Sequence, residues 1–112
     1  MNTIANLYIF LGILMVVIAI PLILRKVKPN LFYGFRTPFT MSREDVWYDI
    51  NAYFGRWLLV TGVIFTAASL FFRFIPGISV DAYASICTTL MLIGLALAIG
   101  LSVLRMRKFR EQ

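Results

Sequence analysis

A chain of 112 residues that is 61% apolar and 14% charged lies far from the soluble norm of about 45–50% and about 25%, and it has room for one domain. This excludes an ordinary soluble globule and predicts an all-α integral membrane protein, one membrane domain over residues 1–112. The net charge of +6 sits at the edges of apolar runs, which suits anionic headgroups and argues against nucleic acid; one cysteine and no histidine exclude an intrachain disulfide, a His/Cys zinc or haem site and histidine acid–base chemistry.

The first predicted span covers about residues 4–24, where "LYIFLGILMVVIAIPLIL" carries no charge. A membrane helix needs about 20 such residues. A cleavable signal peptide would start with positive charge, but this start is "MNTIAN" and the run ends at Arg25-Lys26, so a retained anchor is expected. Pro21 removes one helical hydrogen bond near the end of the span.

The connection over residues 25–56 is the least ordinary part of the sequence. "KPNLFYGFRTPFT" holds two of the four prolines, and Pro29 and Pro38 bias Lys28 and Thr37 towards extended backbone. Gly34 permits a close backbone approach. Leu31, Phe32, Tyr33, Phe35 and Phe39 suit a loop held at headgroup level or packed under a helix, not a solvated linker. "MSREDVWYDINAYFGRW" follows, in which Ser42 and Asp45 resemble a capping box, and Glu44 and Asp45 place negative charge in a first helical turn. Val46, Ile50, Tyr53 or Phe54, and Trp57 recur at i, i+4, i+7. The expectation is an amphipathic helix at the cytoplasmic interface, leading into the second span with Gly55 as a bend.

Polar candidates cluster in this connection. Arg36 either pairs with Asp45 or Asp49, or offers its planar fork to a lipid phosphate or peptide carboxylate. Asp45 and Asp49 lie one helical turn apart, and with Arg43 and Arg56 nearby, salt bridging is favoured over a metal. Asn30 and Asn51 are candidate ligand contacts, although Asn30 after Pro29 equally suits a local side-chain turn. No cofactor or metal is expected. An enzyme is not expected either, because no nucleophile–base pair is evident.

The second span, about 57–72, is bracketed by Arg56 and Arg73, which can snorkel to extend it. Pro76-Gly77 marks a tight turn before the third span, about 82–104, and a basic tail fills 105–112. Cys87 reads as a small buried hydrophobe. Gly94 with Ala98, Ala96 with Gly100, and Gly62 with Thr66 have small-xxx-small spacing, for packing within the chain or for a homo-oligomer seam. Ten of the eleven basic residues fall on one side, leaving Arg73 on the other. That asymmetry predicts an outside N-terminus, with the connection and the C-terminus in the cytoplasm.

Lys28, Pro29, Asn30, Gly34, Arg36, Thr37, Pro38, Thr40, Ser42, Trp47, Asn51 and Gly55 match, in order, the signature of the SdpI-type immunity proteins. The chain resembles a short, three-helix form of these small bacterial multi-pass membrane proteins. It departs from the pattern at Ala52, where many relatives carry a basic residue, and at Phe39, where tryptophan is frequent. The name-giving members protect a producer cell against a secreted membrane-active toxin and can signal to a cytoplasmic repressor. The resemblance therefore implies an inner-membrane protein conferring immunity or toxin resistance. Asn30, Gly34, Arg36, Thr37, Pro38, Trp47 and Asn51 would form its binding motif, with membrane lipids, a peptide toxin or a cytoplasmic regulator as partners. The competing reading is a transporter or lipid-handling subunit. Its spans carry no charge, so a path would need oligomerisation and hydroxyls such as Thr61, Thr66, Ser69, Thr88 and Thr89.

Overall fold

A computed structural model of the protein describes residues 2–28 and 38–110. The described residues form four helices: α1 (Asn2–Ile23), α2 (Pro38–Ser42), α3 (Glu44–Arg73) and α4 (Val80–Arg110). Three of them, α1, α3 and α4, are long and apolar enough to cross a membrane, as the uncharged runs predict.

Helix α1 survives Pro21 and ends just beyond it. The Arg25 amide donates to the Leu22 carbonyl (3.2 Å) and the Lys26 amide to the Pro21 carbonyl (3.0 Å), the paired bonds of a Schellman cap. Such a cap needs a left-handed residue, normally glycine, and Arg25 takes it at φ 60°. An arginine there costs about 1–2 kcal/mol of backbone strain.

The expected helix before the second span and the span itself are one element. Helix α3 runs 30 residues without a break, about 45 Å at 1.5 Å per residue. Gly55 does not interrupt it; the glycine is there for close packing. A Cβ at position 55 would lie 3.0 Å from Leu22 Cβ and 3.1 Å from the Ala19 carbonyl oxygen. The N-cap of α3 is not the expected Ser42. Ser42 is the last residue of α2, so the N-cap passes to Arg43, which makes no side-chain cap bond. Arg43 instead grips Asp45 through Nη2–Oδ2 at 2.7 Å.

The turn between α3 and α4 follows the Pro-Gly reading. Gly77 has φ 78°, and the Ile78 amide returns to the Ile75 carbonyl (3.4 Å), as a type II turn requires. Ser79 then caps α4, its Oγ accepting from the Ala82 amide (3.1 Å). Helix α4 continues through most of the basic tail and ends at Arg110.

Helix α3 is the middle member of the bundle. It runs antiparallel to both neighbours, while α1 and α4 scarcely meet. Gly12 and Gly62 bring α1 and α3 together: a Cβ at position 62 would sit 2.9 Å from Val16 and 3.0 Å from the Gly12 carbonyl. Gly94 lets α4 close on Thr61, and Ala98 is fully buried, so this small-residue pair packs within the chain. The other pair does not. Ala96 and Gly100 are exposed, with open space beside Gly100.

Three apolar clusters hold the helices. Ala5, Phe65, Tyr83 and Cys87 fill the end near the α3–α4 turn, and Met15, Ala19 and Leu58 the middle. Val46, Ile50 and Met106 fill the end nearest the connection. Cys87 is buried, as expected of a small hydrophobe. The hydroxyls inside turn back on their own helices, Thr66 to the Gly62 carbonyl (2.7 Å) and Ser69 to the Phe65 carbonyl (2.8 Å). Tyr83 reaches the Ser69 carbonyl at 3.0 Å, and Tyr8 bonds Thr88 across α1 and α4 at 2.8 Å.

Candidate functional site

The signature residues on α3 lie at positions 47, 51 and 55, spaced at i, i+4 and i+8 on one helix face. All three are buried. Trp47 is fully buried, and its Nε1–H donates to the Val27 carbonyl at 2.8 Å. A buried indole needs such a partner. Here the partner is the chain leaving α1, so the start of the connection is tied to α3. Asn51, 2% exposed, donates from Nδ2 to the Trp47 carbonyl at 2.9 Å. Gly55 then admits the end of α1 against the same face.

The far side of the connection is held as well. Pro38 opens α2, where its fixed φ and missing N–H suit a first helical position. Thr40 within that short helix is fully buried. Asn30, Gly34, Arg36 and Thr37 lie outside the described residues, and so does the expected pairing of Arg36 with Asp45 or Asp49. The segment they occupy begins two residues after the Trp47–Val27 bond and ends at α2. Ala52, one of the two positions of departure from the family pattern, is 1% exposed and suits a small side chain.

Both candidate carboxylates are engaged by arginines. Asp45 pairs with Arg43, and the pair is largely solvent-exposed. Asp49 receives a two-pronged grip from Arg105 of α4, Nε–Oδ2 at 2.7 Å and Nη2–Oδ1 at 3.1 Å. The Arg105 guanidinium also lies over the Tyr53 ring, 4.8 Å from its centre. The sequence offers Arg36, Arg43 or Arg56 for Asp49 and marks Arg105 only as a tail charge. Separation of 56 residues hides such a pair from any local pattern. Among the described residues, no three His, Cys, Asp or Glu side chains converge as metal ligands.

Three membrane-length helices with a tethered, motif-bearing connection define a small multi-pass helical membrane protein. A family model described as the SdpI/YfhL protein family matches residues 26–104, well over half of the chain. The chain belongs to that family. Comparisons with curated proteins and with solved structures returned no match.

Proposed function

We propose that this protein resides in the bacterial inner membrane and confers immunity or resistance to a membrane-active toxin. In this reading the connection faces the cytoplasm and does the binding through Asn30, Arg36 and Thr37, with Trp47 and Asn51 as motif residues buried on α3. The Trp47–Val27 bond is the observation that carries the proposal. A buried indole bonded to the backbone of the connection restrains its start, and such preorganisation favours a recognition loop. Family membership supports the immunity role, and the ten-to-one distribution of basic residues supports the cytoplasmic placement.

Arg36 supplies the charge-assisted contact to an anionic group of the toxin or of a regulator. Cells expressing Arg36→Ala should lose protection against the cognate toxin while the protein still accumulates in the membrane. Undiminished survival of that strain would refute the binding role.

A further inference from the structure

A second feature stands apart from the connection, on the seam between α3 and α4. Where α4 leaves the apolar part of the bundle, a cleft of about 520 Å³ is lined by Tyr53, Leu101, Leu104, Arg105, Arg107 and Lys108. Arg105 is fixed in its wall by Asp49 and Tyr53. Arg107 and Lys108 are exposed, carried on a regular helix that keeps both beside the cleft. Among the described residues, the carboxylate in ion-pair contact with these cations is Asp49, and it is engaged by Arg105. The cleft therefore has an unbalanced positive wall.

The wall opposite in character leads along the helix. Leu104 and Leu97 are 54% and 50% exposed and share a face of α4 with Leu101. Leu97 also lines a second cleft on the same seam, about 180 Å³ and almost wholly apolar, with Trp57, Ile64 and Ile93. Tyr53 and Trp57, one helical turn apart on α3, border the basic cleft and the apolar one respectively. A basic cup thus stands next to an apolar groove on the same seam.

We infer that the α3–α4 seam is a binding site for an anionic phospholipid. The lipid phosphate sits among Arg105, Arg107 and Lys108, and an acyl chain lies along Leu104, Leu101 and Leu97 towards Trp57. Basic pockets at the ends of membrane helices recognise such headgroups by charge. A soluble phosphate would satisfy the cup but leave the groove without an occupant, so the lipid is the source that accounts for both. This site does not depend on the toxin-binding reading.

Trp57 provides the assay, because it borders the groove whereas Trp47 is fully buried. The full-length protein is reconstituted in phosphatidylcholine vesicles, and tryptophan quenching is compared for chain-brominated phosphatidylglycerol and chain-brominated phosphatidylcholine. The unaltered protein should prefer the anionic lipid by at least about fivefold, equivalent to about 1 kcal/mol. Arg107→Gln/Lys108→Gln should bring the ratio close to one. Arg25→Gln/Lys26→Gln removes the same charge from the same end of the bundle and should keep the preference. Equal loss in the two double variants would mean diffuse surface attraction and overturn the site, as would no preference in the unaltered protein. Inorganic phosphate at matched ionic strength should leave the ratio unchanged; its abolition would assign the cup to a soluble anion instead.

Discussion

Trp47 and Asp49, two residues apart on α3, bind different neighbours: one holds the chain leaving α1, the other the end of α4. Trp47→Phe keeps most of the buried ring and removes the donor to Val27. The expected cost is about 1–3 kcal/mol, the penalty for a buried polar group left without its partner, read as a lower midpoint in detergent-titrated unfolding. An unchanged midpoint would show that the bond does not tether the connection. The resemblance to the family signature singles out Trp47 and Asn51. It does not disclose what they touch. Val27 offers only a backbone carbonyl, and every residue has one, so no side-chain signal marks it as a partner. Ser79 is legible in principle, as a serine ahead of an acidic first turn, whereas the uncharged run alone starts the helix at Ala82.

Helices report their existence more openly than their faces. Runs without charge locate α1, the second half of α3 and α4 to within a few residues. Gly94/Ala98 and Ala96/Gly100 have the same spacing, but only the first pair meets α3. Spacing fixes which residues share a stripe; it is silent on which stripe has a neighbour. The glycines therefore predict opposite outcomes. Gly55→Ala gains about 1 kcal/mol of helix propensity but forces a methyl against Leu22 and the Ala19 backbone, and overpacking of that kind costs about 1–3 kcal/mol. The backbone carbonyl cannot move aside as a flexible side chain would, so net destabilisation is expected. Gly100→Ala meets open space and should leave the unfolding midpoint unchanged or raised. The same titration, applied to both variants, checks the pair.

Seen whole, the molecule is 54 Å along its longest axis, whereas the hydrocarbon core of a bilayer is about 30 Å thick. Helices α3 and α4 span about 45 Å each and α1 about 33 Å. The longer two project beyond α1 at one end, where the connection, Asp49–Arg105 and the basic cleft are found. The proposed orientation puts this projection in the cytoplasm. In a Cys87→Ala background, Thr3→Cys should react with a membrane-impermeant maleimide applied outside intact cells, and Lys108→Cys should react only after the membrane is opened. The reverse pattern would invert the molecule and move the binding face outside.

The middle position of α3 bears on how the chain is made. Helix α1 leaves the ribosome first, but nearly all of its packing surface is on α3, which emerges only after the connection has been synthesised. During that interval the small residues of α1 face lipid, and a second α3 from a neighbouring nascent chain would fit them equally well. Helices α3 and α4, joined by a turn of a few residues, arrive together as a hairpin. Binding the Val27 carbonyl to Trp47 shortens the search, since it draws the end of α1 to the correct α3 as soon as the first turns of that helix form. The Trp47–Val27 tether thus favours assembly within one polypeptide over exchange of α1 between copies.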